Sequence, residues 1–234
     1  MPETTLSIPQ FFNQLSQHHS VDRGFADQPV VPHTIVDDFL PEHLFDAVTT
    51  ELETFPEERW ITKQLKNSGV RKESRDFVDT PSVQSMMTEL TAHSFLTWMS
   101  SVTNFDDIIP DPHHLGAGAS SAPSGAYLGL HVDFNWNNTL RLSRKVNLIY
   151  YANREWQSDW NGQLEFWTRD KKDMLLSIEP KPNRLVFWEF EQNYLHGFSK
   201  PLECPQDVAR NNLMTVYYSS NATPTSQPHK SLFE

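Results

Sequence analysis

From Ala126 onward the chain breaks into seven short β-rich segments. They are Ala126–Asp133, Arg144–Ala152, Gln163–Thr168, Met174–Glu179, Arg184–Phe190, His196–Lys200 and Leu213–Ser219. Turn signals separate them, among them Asn161-Gly162 and Pro180-Lys181-Pro182-Asn183. Several short strands at this spacing, preceded by helices, predict a double-sheet jelly roll on a helical layer. The expected class is α+β, mainly β.

The helical layer is read from apolar stripes. Pro41 opens one, with Leu44, Phe45, Val48, Leu52 and Phe55 at helical spacing. Thr80 and Pro81 open a second as N-cap and first-turn residue, with Val83, Met86, Met87 and Leu90 on one face. Phe95, Trp98, Met99 and Val102 form a third stripe. Such stripes are core, not cofactor contacts. Residues 1–30 read as an N-terminal extension, with an amphipathic helix over Ser7–His19 and a linker over Gly24–Pro32. Residues 31–220 read as the main domain, and 221–234 as a flexible polar tail. Asn104–Gly125, rich in Asp, Pro, Gly, Ser and Ala, reads as a long loop of the kind that serves as a lid.

Composition narrows the function classes. A formal net charge of -11 argues against nucleic acid, whose phosphates need a basic footprint, and against anionic membrane surfaces. One cysteine, Cys204, excludes an intrachain disulfide and a cysteine-rich zinc site. No apolar run reaches transmembrane length and no signal sequence opens the chain, so the expected location is the cytoplasm.

His131-Val132-Asp133 lies in the first β segment, where residues two apart share a face. His131 and Asp133 therefore point together, and Leu128, Leu130 and Val132 the other way. His196 begins a late strand, 63 residues after Asp133. Two imidazoles and one carboxylate on one face suit non-haem Fe(II) with open positions for oxygen chemistry. Taken alone, His-x-Asp is better read as a hydrogen-bonded histidine beside a surface aspartate. Arg210 adds context. It opens the final strand, and its planar fork suits a carboxylate such as the distal one of 2-oxoglutarate. The alternative is a surface arginine paired with Asp207 or Glu203.

The ordered series His131-Val132-Asp133, Arg144 to Asn153, Trp156, Asn161 to Trp167, Asn183 to Phe187, His196-Gly197 and Arg210 resembles the prolyl-4-hydroxylase-like branch of the Fe(II)/2-oxoglutarate-dependent dioxygenases. The resemblance runs from about Pro32 to Ser220. It implies a double-stranded β-helix (cupin-like) fold, iron held by His131, Asp133 and His196, and 2-oxoglutarate held by Arg210. By position it implies that Tyr151 hydrogen-bonds the same carboxylate and Leu164 lines its pocket, with Thr215 on a strand facing it. Tyr151 and Leu164 would serve equally as core residues.

The implied cofactors are Fe(II), 2-oxoglutarate and O2, with ascorbate as an accessory reductant. The implied reaction is hydroxylation of a C–H bond with release of succinate and CO2. Asp133 fills the coordination position that a halogenase leaves to chloride. The expected partner is a small-molecule substrate. The alternatives are a peptidyl side chain, as for a prolyl hydroxylase acting on a protein, or a catalytically silent jelly roll that binds metal or ligand. Asn135, Trp136, Arg144, His113 and His114 are placed where they could border the site. Departures from the family pattern are Asn161 where relatives carry Gly, Ala152 where they carry Leu, and a longer segment between His196 and Arg210.

Overall fold

A computed structural model describes residues 6–20, 24–64, 68–220 and 227–233. Five helices are described: α1 (Ile8–Phe12), α2 (Leu15–His18), α3 (Glu42–Glu53), α4 (Pro81–Glu89) and α5 (His93–Thr103). The strands are β1 (His33–Val36), β2 (Ile61–Lys63), β3 (Arg71–Ser74), β4 (Ile108–Pro110), β5 (Gly118–Pro123), β6 (Leu128–Val132), β7 (Trp136–Asn137), β8 (Leu142–Tyr151), β9 (Leu164–Thr168), β10 (Met174–Ile178), β11 (Arg184–Glu189), β12 (Tyr194–Phe198), β13 (Ala209–Ser219) and β14 (Leu232–Phe233).

Two antiparallel sheets face each other. The larger runs β1-β11-β8-β13-β5-β3-β2, with β4 beside β13 and β7 beside β8. The smaller runs β10-β9-β12-β6-β14. This is the expected jelly roll.

Alternation along the long central strands builds both cores. Leu148, Tyr150, Leu185, Phe187, Leu213 and Tyr217 turn to one side and join Val48, Val83, Phe95 and Met99 of the helices. Their neighbours Ile149, Tyr151, Val186, Trp188 and Met214 turn inward, against Leu164, Phe166, Ile178 and Tyr194 of the smaller sheet. The helical stripes are core, as read from the sequence.

Three local expectations need correcting. First, the 104–125 stretch is not a structureless lid. It contains β4 and β5, and β5 pairs with both β13 and β3. Its small residues hide a strand because Ala119 and Ala122 fit where larger side chains would not, at about 2% exposure or less. Second, the described residues of the 1–30 segment, 6–20 and 24–30, pack as part of the main body. Ile8, Phe11, Phe12 and Leu15 enter the helix-facing core, Phe12 meets Phe95, and Phe25 stacks on Phe187. Third, the tail is ordered over residues 227–233. β14 adds to β6, with Leu232 opposite Val132 and Phe233 opposite His131. Residues 221–226 lie outside the described residues.

Asn183 clasps distant parts of the chain. It follows a tight turn at φ 54°, accepts from Leu40 N at 2.9 Å and donates to Leu40 O at 2.7 Å. The Tyr150 hydroxyl donates to the same Oδ1 at 2.9 Å. Thr80 does not cap α4 through its side chain; its hydroxyl donates to Phe77 O instead. Among the described residues no helix is long and apolar enough to cross a membrane.

Candidate metal and co-substrate site

β6 and β12 are neighbours in the smaller sheet, and His131 sits directly opposite His196. Asp133 follows the end of β6. One ligand atom from each of these three residues lies within 4.8 Å of the others. His131 Nε2 is 3.4 Å from Asp133 Oδ1, and His196 Nε2 is 3.2 Å from Asp133 Oδ2. His131 Nδ1 is 2.9 Å from Gly129 O. A carbonyl only accepts, so Nδ1 carries the proton and Nε2 of the neutral ring presents a lone pair to the cluster.

The register between β6 and β12 shifts between the His196–His131 and Phe198–Leu128 pairs. This bulge overrides simple alternation, so Leu128 borders the cavity with His131 instead of facing away. It also explains Gly197. A Cβ there would stand 2.6 Å from Leu128 O and 3.0 Å from Gly129 O.

Charges at the cluster are arranged for a cation. Burial opposes ionisation of Asp133, but Arg144 and the two imidazoles outweigh it and hold the carboxyl well below the usual carboxylate range. Burial pushes His196 down, against Asp133, which favours the neutral, metal-binding imidazole. Arg144 Nη2 is 2.8 Å from Asp133 Oδ2, and its Nε donates to Asn147 Oδ1 at 2.5 Å. Asn147 Nδ2 in turn points to Asp133 Oδ2 at 3.4 Å. Asn147 is the one polar residue in the run Val146–Tyr151 and faces inward, a signal that sequence reading passed over.

The same cavity extends to Arg210, Leu164 and Thr215. Arg210 is 3% exposed. Its Nε donates to Gly162 O at 2.9 Å and its Nη2 to the Tyr151 hydroxyl at 3.1 Å. Its guanidinium lies 4.6 Å from the Phe198 ring centre. Neither Asp207 nor Glu203 pairs with it, and among the described residues it has no ion-pair partner. Burial pushes its pKa down, and the nearby Arg71 adds to this. A buried cation without a counter-charge is a receptor for an anion.

Thr215 borders the same cavity. It lies on the face of β13 shared by Leu213 and Tyr217, which turn to the helices. Its buried hydroxyl has no hydrogen-bond partner. The inward set is Arg210, Asn212 and Met214.

Residues named as possible neighbours divide. Arg144 is in the site. Asn135 instead holds the tail, donating to Gln227 O at 3.1 Å and accepting from His229 N at 2.8 Å. Trp136 lines a separate surface groove with Phe134 and His229. His113 and His114 do not border the cavity. Sequence reading missed Phe233, whose ring stacks on His131 at 4.7 Å and 18°. It also missed Arg71, Trp188 and Asn212 in the cavity wall. Nothing in their local sequence marks them.

Two imidazoles with a carboxylate fit Fe(II), and an unmatched buried guanidinium fits a dicarboxylate co-substrate. Residues 117–219, which include all four of these groups, match the family model of the 2OG-Fe(II) oxygenase superfamily. Similar solved structures include a prolyl hydroxylase from Trichoplax adhaerens in complex with a hypoxia inducible factor peptide fragment. It is 18% identical, with TM-score 0.61, and the match covers 94% of this chain and 96% of that one. A Pseudomonas putida prolyl-4-hydroxylase is 16% identical, with TM-score 0.58, covering 89% and 98%. HygX from Streptomyces hygroscopicus, with nickel, 2-oxoglutarate and hygromycin B bound, is 12% identical, with TM-score 0.53, covering 85% and 87%. These likenesses establish a shared jelly-roll fold. The sequence match over residues 117–219 and the shared fold make this chain similar to the 2OG-Fe(II) oxygenase superfamily, a family that uses Fe(II), 2-oxoglutarate and O2.

Proposed function

We propose that the protein hydroxylates a C–H bond of a small-molecule substrate, with His131, Asp133 and His196 holding Fe(II) and Arg210 holding 2-oxoglutarate. The observation that carries this reading is the unmatched Arg210 guanidinium in the same cavity as the three convergent ligand atoms. The bound cofactors supply the oxidation: one atom of O2 leaves in succinate, formed with CO2 from 2-oxoglutarate, and the other enters the substrate C–H bond.

The chain's own groups bind and orient. Gly162 O and the Tyr151 hydroxyl fix the Arg210 fork, so its remaining N–H groups meet the distal carboxylate in a set direction. Leu164 walls the pocket. Arg144 and Asn147 hold the Asp133 carboxylate in place.

A peptidyl substrate is the second reading, favoured by the two prolyl hydroxylases of similar fold. Against it, the β6 edge beside His131 is taken by β14, so a peptide arriving there would have to displace the tail.

The test is anaerobic addition of Fe(II) and 2-oxoglutarate. A weak visible charge-transfer band is expected, and its absence from metal-loaded protein overturns the proposal. Arg210→Met should weaken 2-oxoglutarate binding while iron is retained. Slow succinate release under O2 without substrate is expected as well; its absence would favour a catalytically silent binder.

A further inference from the structure

Arg71 on β3 reaches the wall of the cavity that holds His131, Asp133 and Arg210. Its side chain is 14% exposed. One nitrogen, Nη2, donates to Glu73 Oε1 at 2.8 Å, and the Glu73 side chain is 39% exposed. Arg71 Nε is buried and has no hydrogen-bond partner among the described residues. A buried donor left unmatched is costly, so the position suits a ligand acceptor. Asn212, directed inward from β13, also lines the cavity and has a buried Oδ1 without a partner.

Resting on the functional reading above, the cavity's charges can be assigned in turn. Arg144 is matched by Asp133 at 2.8 Å. Arg210 takes the distal carboxylate of 2-oxoglutarate, whose other end goes to the metal. Arg71, paired with Glu73 through Nη2, is then the remaining guanidinium of the cavity wall with a donor, Nε, left unmatched.

We propose that Arg71 is a specificity residue that binds a carboxylate of the primary substrate. Asn212 Oδ1 accepts from an N–H or O–H near that carboxylate. The substrate is therefore an organic acid, hydroxylated at a carbon away from the carboxylate that Arg71 anchors.

The test uses the full chain loaded with Mn(II) and 2-oxoglutarate under anaerobic conditions. Benzoate, cyclohexanecarboxylate, their carboxamides and inorganic phosphate serve as probes, read by calorimetry. Carboxylates should bind the wild-type protein about tenfold more tightly than the amides, equivalent to ~1.4 kcal/mol. Arg71→Met should erase the preference, and Arg71→Lys should keep part of it. The affinity for 2-oxoglutarate should stay unchanged in both. The proposal is overturned if acids and amides bind alike, if no probe binds, or if phosphate is preferred to the acids. It is also overturned if Arg71→Met weakens 2-oxoglutarate itself, which would make Arg71 a co-substrate residue. Failure of the wild-type protein to bind 2-oxoglutarate at all would instead overturn the functional reading, and this inference with it.

Discussion

Arg144 Nη2 meets Asp133 Oδ2 at 2.8 Å, the oxygen that His196 Nε2 also approaches, at 3.2 Å. The guanidinium thus fixes one carboxylate oxygen and leaves Oδ1 on the His131 side. Arg144→Met removes that anchor and leaves a buried carboxylate short of a partner. Metal affinity should fall by about 10- to 100-fold, the usual cost of losing a group that orients a ligand. A competition titration with a chromophoric chelator measures it. Tighter binding in the variant would mean that Arg144 acts chiefly by repelling the cation.

Gly197 lies on β12 where it faces β6, with no room for a methyl group. Gly197→Ala would place Cβ 2.6 Å from Leu128 O, a backbone atom that cannot swing aside. The bulge must shift, and His196 beside it. A stability loss of about 1–3 kcal/mol is expected from overpacking, together with weakened metal binding. Denaturant unfolding followed by metal titration checks both parts. Unchanged unfolding would mean that the bulge is softer than this geometry implies.

Arg184 on β11 holds Asp37 with Nε at 2.5 Å and Nη2 at 2.8 Å. The hydrogen bond to Arg184, against a smaller cost of burial, lowers the Asp37 pKa below its ordinary 3.8. A carboxyl depressed on folding stabilises above its unfolded pKa and loses that contribution as pH falls through the folded one. Asp37 is half exposed, so the pair is worth no more than about 1 kcal/mol. Asp37→Asn should therefore lower stability slightly at pH 7, with the difference from wild type vanishing below the depressed pKa. Unfolding curves at both pH values read this directly.

Phe233 covers the His131 ring, and the Ser231 hydroxyl accepts from Phe134 N at 3.2 Å. Phe233→Ala should leave the melting temperature nearly unchanged, because Phe233 is only partly buried at the sheet edge. It should speed chelator-driven metal loss several-fold by opening one side of the imidazole. Equal rates of metal loss would show that the stacked ring does not guard the site.

Much of this architecture was legible because it follows periodicity. Alternation in β8, β11 and β13 separates Tyr150 from Tyr151 and Leu213 from Met214, and three helical stripes mark the layer behind them. His131, Asp133, His196 and Arg210 stood out as polar residues in apolar strands. What was hidden depends on register or on distance. Leu128 changes face at a bulge that no local signal announces. β5 went unread because its Gly, Ala, Ser and Pro residues suit a crowded strand as well as a loop. Arg71 and Phe233 reach the cavity by tertiary pairing, which a single sequence does not reveal. Asn161 and Gly162 both adopt positive φ, 61° and 84°. With ψ at −154°, Asn161 lies outside the left-handed helical region, in a conformation costly for a residue with a Cβ.

The Asn183 clasp on Leu40, 143 residues away in the chain, has a bearing on how the protein is made. As the polypeptide leaves the ribosome, β1 and the helices after it emerge long before β8 and β11, the strands that cover them. The apolar faces of α3, α4 and α5 must wait uncovered through most of synthesis. Early folding intermediates should therefore attract chaperones, and truncated products ending before residue 183 should aggregate.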